Sequence, residues 1–154
     1  MTKVGILSDT HGWIHPQIVS LMNNCALIVH AGDVIDANTL EVFTQQIFAV
    51  QGNNDGHLQL PQVETVKLPG GDLAIQHGHQ HGWHTPSHDL LRKAHPHAKA
   101  IIYGHTHKQV IDKTASPWVI NPGAGGEIRN GGSSKCLVLN ASTEQEWQIT
   151  AHAF

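Results

Sequence analysis

The 154-residue sequence predicts an α/β protein in which two β-sheets pack as a sandwich flanked by helices. Three observations predict it. Strand-like apolar runs and helix-like segments alternate through the first half. Strand-like pieces predominate in the second half. Polar residues gather where the apolar runs stop, and α/β folds collect their ligand sites at such strand ends.

Each element has a local reason. "KVGILSD" (3–9), "ALIVHAGD" (26–33) and "FAVQGNND" (48–55) are short apolar runs that end in polar residues, the pattern of buried strands. "HPQIVSLMNN" (15–24) carries Pro16 near a helix start and Ile18, Val19, Leu21 and Met22 at helical spacing. "DANTLEVFTQQI" (36–47) reads as a helix capped by Asp36 or Asn38. "VETVKL" (63–68) alternates and is joined by the turn "PGGD" to "LAIQH" (73–77), which predicts a hairpin. "TPSHDLLRKAH" (85–95) reads as a helix with a Thr-Pro cap, and "AKAIIYGHTH" (98–107) as a further strand. "QVIDK", "WVIN", "KCLVLNA" and "EQEWQITAH" complete the strands, around a glycine-rich loop at 122–132.

Length and composition narrow the function classes. One domain over residues 1–154 is expected, large enough for a real core. The charged fraction is low at 14%, the net charge is −3, and the arginines are Arg92 and Arg129. That balance excludes a strong nucleic-acid surface. The apolar runs are too short for a signal or a membrane span, so a soluble cytoplasmic protein is expected. Cys25 and Cys136 are isolated in apolar surroundings and read as buried thiols of a reducing compartment. Oligomeric state stays open, a homo-oligomer included.

The polar tips are "SDTH" (Asp9, His11), "HAGD" (Asp33), "GNND" (Asn53), "QHGH" (His77) and "YGHTH" (His105, His107). Each supplies an oxygen or imidazole donor with a glycine beside it, and glycine permits unusual dihedrals and close backbone approach. Singly, each has a plainer reading as a cap, a turn or an exposed pair. Together, five strand ends carry metal donors that folding does not require. Nitrogen and oxygen donors without thiolate suit zinc, manganese, iron or nickel.

In this order, with "NPG" following at residue 121, the motifs resemble the calcineurin-like metallophosphoesterase superfamily. The short length makes the chain most similar to its compact YfcE-type phosphodiesterase branch. The resemblance runs from residue 9 to 123 and implies the four-layer αββα metallophosphoesterase fold. It implies two divalent metal ions, manganese first, with zinc, nickel or iron as alternatives. Asp9, His11, Asp33 and His107 would hold one, and Asp33, Asn53, His77 and His105 the other, with Asp33 bridging. His79 resembles the second histidine of the H-G-H motif, which would orient a ligand from behind. His81 and His84 match nothing in the family pattern and are candidates for the cleft lining, as is His88, or else plain surface. His30 is expected to pack or hydrogen-bond beneath Asp33, and the "NPGA" loop to be structural.

The implied activity is hydrolysis of a small phosphodiester by a hydroxide bridging the metals. Two dications roughly 3.5–4 Å apart lower the pKa of water from about 15.7 to about 7. They would also supply the positive charge that two arginines cannot. One departure stands at residue 54. Many superfamily members carry a histidine there that protonates the leaving group, as most of the compact branch does not. The catalytic segment is here Asn53, Asn54 and Asp55, and an amide is no acid. General acid catalysis is typically worth roughly 10²–10⁴-fold, so good leaving groups are expected to be favoured. A competing reading is a non-catalytic metal-binding or protein-interaction scaffold of the same fold, as in the retromer subunit of vacuolar sorting, although scaffold relatives lose ligands that are all present here. A metallo-β-lactamase-type site would need H-x-H-x-D-H, which "HTHKQV" does not supply.

Overall fold

The apolar runs form the middle strands of two five-stranded sheets. The computed structural model describes residues 1–128 and 132–154. Residues 129–131 of the expected glycine-rich loop, Arg129 among them, lie outside the described residues.

The first sheet has the order β10-β9-β1-β2-β3. Its strands are β1 (Thr2–Leu7), β2 (Leu27–His30), β3 (Gln46–Ala49), β9 (Lys135–Ala141) and β10 (Gln148–Ala153). β1, β2 and β3 run parallel, whereas β9 is antiparallel to both β1 and β10. The second sheet has the order β4-β5-β6-β8-β7. It holds β4 (Val63–Leu68), β5 (Gly71–Gln76), β6 (Ala100–Ile102), β7 (Gln109–Asp112) and β8 (Trp118–Pro122). β4 and β5 are the expected hairpin, and β5, β6 and β8 run parallel.

Side-chain alternation assigns the layers. Val4 and Ile6 of β1, Leu73 and Ile75 of β5, Ile120 of β8 and Leu137 of β9 meet between the sheets. The alternate residues face outward. Ile28, Cys136 and Val138 pack on Ile18 and Met22 of helix α1 (Pro16–Met22). Ala74, Ile101 and Val119 pack on Leu91 of helix α2 (His88–Ala94). The result is helix, sheet, sheet, helix. The central strands are buried on both faces, which is why they read as unbroken apolar runs. Each fully buried Val, Leu or Ile contributes about 1.5–3 kcal/mol.

Two local expectations need correction. The expected helix over 36–47 is a 3₁₀ helix, Ala37–Val42, capped by Asp36, whose carboxylate accepts the Asn38 N–H. Its final residues belong to β3, because Gln46–Ala49 pairs with Leu27–His30 and sheet hydrogen bonds override helical pattern. α2 is capped by Ser87, which accepts the Leu90 N–H, and not by Thr85 and Pro86. Cys25 and Cys136 are free and buried, and burial pushes the Cys136 thiol up to about 12. Among the described residues, no helix is long and apolar enough to cross a membrane.

His30 is fully buried at the end of β2. Its Nδ1 accepts the Gly32 N–H at 3.1 Å, so the ring proton sits on Nε2, facing Thr10 Oγ1 at 2.9 Å. Burial holds this imidazole neutral and lowers its pKa to about 4 from 6.5. The unfolded chain therefore binds the extra proton first, and stability falls as pH drops from 6.5 towards 4. Urea unfolding of metal-free protein across that window should show a loss of up to roughly 3 kcal/mol from this residue. His30→Gln should flatten that part of the profile; an unchanged slope would contradict the assignment.

Candidate metal centre

The loops that follow β1 and β2 are zipped together by backbone. Asp9 N–H donates to Gly32 O at 2.9 Å, His11 N–H to Asp33 O at 3.0 Å, and Gly12 N–H to Val34 O at 3.0 Å. Asp9, His11, Asp33, His105 and His107 all have positive φ, between 50° and 73°. A side chain in the left-handed region is strained by about 1–2 kcal/mol. Such strain gathers where the surrounding structure fixes a functional geometry.

The glycines beside these donors serve close approach. A Cβ at Gly52 would lie 2.1 Å from Asp33 Oδ1, and one at Gly104 would lie 2.6 Å from Asp9 Oδ2. The expected unusual dihedrals occur at Gly12, Gly32 and Gly78, with φ of 90°, 103° and 101°, and the five left-handed donors share them.

Asp9 is buried, and its two oxygens differ. Oδ2 accepts from Ser8 Oγ at 2.7 Å and from the His105 N–H at 3.0 Å. Oδ1 is buried with no hydrogen-bond partner among the described residues. Imidazole nitrogens face it, His107 Nε2 at 3.4 Å and His77 Nε2 at 3.9 Å. Burial pushes the Asp9 pKa up, but His107, His77 and Ser8 outweigh it and keep the group ionised below the usual carboxylate range. The His107 pKa is raised in turn, chiefly by Asp9.

Asp33 spans two groups of imidazoles. Its Oδ1 lies 3.6 Å from His77 Nε2, and its Oδ2 lies 3.5 Å from His11 Nε2. His77 is fully buried, and its Nδ1 donates to Ala31 O at 2.7 Å. The Nε2 lone pair is then aimed at Asn53 Oδ1, 2.9 Å away. His105 repeats the arrangement. Its Nε2 donates to Trp83 O, which leaves Nδ1 facing the same Asn53 Oδ1 at 3.1 Å. Acceptor faces acceptor at each of these contacts. A cation at the centre turns that convergence of lone pairs from repulsive to favourable. The donor set therefore fits divalent metal. The closest groupings are Asp9 with His11 and His107, and Asp9 with Asp33 and His77.

The structure brings all seven candidate donors to one end of the two sheets. The expected catalytic segment is placed differently from an acid site. Asn54 donates both its N–H and its side-chain amide to Asp33, at 3.0 and 2.9 Å. Asp55 is fully buried and accepts the backbone N–H groups of Val34 (3.1 Å), Ile35 (2.8 Å) and Gly52 (2.9 Å). Burial raises its pKa, but those backbone donors outweigh burial and hold it below the usual range. Both residues thus fix Asp33 and its loop. His79 lies against His77 and His105, with centroids 5.4 and 6.1 Å away, and burial followed by those two rings lowers its pKa. His81 ends the 3₁₀ turn His79–His81, and His84 is exposed beyond it. His88 is tied into the second sheet: Nδ1 donates to Asp112 at 2.6 Å and Nε2 accepts from Tyr103 Oη at 2.9 Å.

One positioning residue was not singled out from the sequence. Asn121 is buried, and its amide donates to Gly104 O and Thr106 Oγ1, each at 3.0 Å, while its Oδ1 accepts the Gly123 N–H. It braces the loop that carries His105 and His107. The "NPG" motif was the available signal, and it marked a turn without showing what the turn supports.

Residues 2–144 match the family model of the calcineurin-like phosphoesterase superfamily domain. The chain belongs to the calcineurin-like phosphoesterase superfamily. A phosphodiesterase of Methanocaldococcus jannaschii is 29% identical over 143 residues, covering 79% of this chain and 82% of its own. Among solved structures, YfcE, a phosphoesterase from E. coli, superposes with a TM-score of 0.67 at 22% identity, covering 98% of both chains. Wild-type Vps29 from Entamoeba histolytica, described as a zinc complex, superposes with a TM-score of 0.79 at 16% identity, also covering 98% of both. At these identities the two structures show the shared fold, the αββα sandwich of the superfamily.

Asp55→Ala removes the acceptor of three buried N–H groups. It should cost on the order of 3 kcal/mol or more in urea unfolding and weaken Mn²⁺ binding by loosening Asp33. A loss below about 1 kcal/mol would show that Asp55 does not hold this loop.

Proposed function

We propose that this phosphoesterase is a phosphodiesterase that works with two divalent metal ions. The observation that carries the reading is the position of Asp33 between two sets of donors, one oxygen towards His11 and the other towards His77. Asp9, His11 and His107 would complete the first set, and Asn53, His77 and His105 the second. Asp9 Oδ1, buried and without a hydrogen-bond partner among the described residues, faces imidazoles of both sets and supplies the second carboxylate. Bound there, two such ions supply Lewis-acid charge and a nucleophilic hydroxide at neutral pH. Manganese is the proposed metal, with zinc, nickel or iron as alternatives, because no thiolate stands among the donors. The name of the archaeal relative supports a diester substrate.

The protein's own part is orientation and charge. The carbonyls of Ala31 and Trp83 fix the tautomers of His77 and His105, so that a lone pair of each faces inward. Asn54 holds both oxygens of Asp33 from behind. Two carboxylates against two dications leave a net charge of about +2, and a hydroxide leaves about +1, which suits a monoanionic diester better than a dianionic monoester. The residue-54 amide donates to Asp33 and carries no proton for a departing alkoxide.

The fold likeness to Vps29 favours a second reading, a non-catalytic scaffold. Metal addition separates the two. Exhaustive chelation should abolish hydrolysis of bis(nitrophenyl) phosphate and Mn²⁺ or Ni²⁺ should restore it. Asp33→Asn should lose activity by at least 10²-fold, taking ~3 kcal/mol as the contribution of a bridging ligand, and bind fewer than two ions. Metal-loaded protein with no turnover on any diester would leave the scaffold reading standing.

The lack of an acid at residue 54 is tested by leaving-group dependence. Log kcat/KM should fall steeply as leaving-group pKa rises, with aryl diesters far ahead of alkyl ones. Asn54→His should flatten the slope if an imidazole there can protonate the leaving group; parallel slopes would rule that position out as an acid site.

A further inference from the structure

We infer that Trp13 is a specificity residue of this site, the stacking wall for a planar heterocyclic ester arm such as a nucleobase. The inference rests on the phosphodiesterase reading for the reaction but on separate residues for the substrate class. A cleft of about 560 Å³ opens on the Asp9, His11 and His107 side of the metal centre. That volume is within the range of roughly 300–1,000 Å³ usual for small-molecule sites and far more than a phosphate needs. Trp13 lines it.

The indole is both available and braced. It is 44% exposed. Its N–H of the backbone donates to Thr10 O at 3.2 Å, and its ring meets the edge of His15 with centroids 5.8 Å apart. His15 is itself fixed. Its N–H donates to Gly125 O, its Nδ1 accepts from Gln17 N–H at the start of α1, and its ring stacks on Phe154. A Cβ at Gly126 would lie 2.8 Å from Trp13 O, so the neighbouring loop presses directly on the Trp13 backbone. A rigid aromatic wall loses little freedom when it is stacked upon.

The rest of the lining selects the chemistry of the arm. Glu127, Ser133 and Lys135 share the cleft with Trp13. A carboxylate there accepts N–H or hydroxyl groups, and the hydroxyl and ammonium meet ring nitrogens and carbonyls. A hydrocarbon aryl group offers none of these. Glu127 also disfavours a second phosphate in the cleft. A flat ring with polar edges, attached through one ester oxygen, fits Trp13 together with Glu127, Ser133 and Lys135.

The test compares 5′-AMP, ribose 5-phosphate and benzyl phosphate by calorimetry, with the Mn²⁺-loaded and the metal-free protein. Wild type should bind AMP roughly 5- to 150-fold more tightly than ribose 5-phosphate, the range that base–aromatic stacking is worth. Benzyl phosphate should fall between them. Trp13→Ala should erase the AMP preference and Trp13→Phe should keep most of it, with circular dichroism confirming that both variants fold. Equal binding of AMP and ribose 5-phosphate by wild type, or an AMP preference unchanged in Trp13→Ala, would overturn the inference. Benzyl phosphate binding as tightly as AMP would overturn the heterocycle. A Trp13-dependent AMP preference in a protein that hydrolyses no diester would sustain this site and count against the hydrolytic reading alone.

Discussion

The structure is organised around a convergence of imidazole, amide and carboxylate donors at one end of its two sheets. Asn53 Oδ1 faces the bare nitrogens of His77 and His105, and Asp9 Oδ1 is buried with no hydrogen bond among the described residues. The ring protons of His77 and His105 are committed to the Ala31 and Trp83 carbonyls, and the backbone N–H groups of His105 and Ile35 to Asp9 Oδ2 and Asp55. Burying a carboxylate is expensive, and two, Asp9 and Asp33, are buried here among imidazoles. Divalent cations resolve it, so metal binding and folding of these loops are expected to be linked.

The fold holds that convergence in place from both sides of the sandwich. Asp9 and Asp33 leave the ends of parallel β1 and β2, and His77 and His105 leave the ends of parallel β5 and β6. Parallel neighbours end at the same level, so four strand ends from two sheets deliver donors to one place. The left-handed residues turn each side chain inward, and the glycines let the loops interlock. The strain of those turns is offset by hydrogen bonds such as the three that Asp55 accepts. A core packed on both faces of each central strand gives the rigid base against which strained loops persist.

Much of this was legible in the sequence, for identifiable reasons. Strands buried on both faces print as apolar runs, and the hairpin at 63–77 printed as alternation around a Pro-Gly-Gly turn. Donor residues at the ends of those runs marked the site without any knowledge of distance. What was not legible depends on long-range pairing. Gln46 and Ile47 read as helix until β2 is placed beside them. Asn54 and Asp55 read as chemistry, but their partners are Asp33 and the backbone of residues 34, 35 and 52. His88 reads as helix surface because nothing local shows that Asp112 and Tyr103 come to meet it. Trp13 carries no local signal, because only the folded loops make the cleft it lines.

Membership of the superfamily and the shared fold leave the number of ions as the point on which the mechanism turns. The most direct test is a crystal structure of Mn²⁺-soaked protein with anomalous scattering recorded at the manganese edge. Two peaks roughly 3.5–4 Å apart are predicted, one on each side of Asp33, with His11 and His107 at one and Asn53, His77 and His105 at the other. A single peak, or two that share no Asp33 oxygen, would contradict the account.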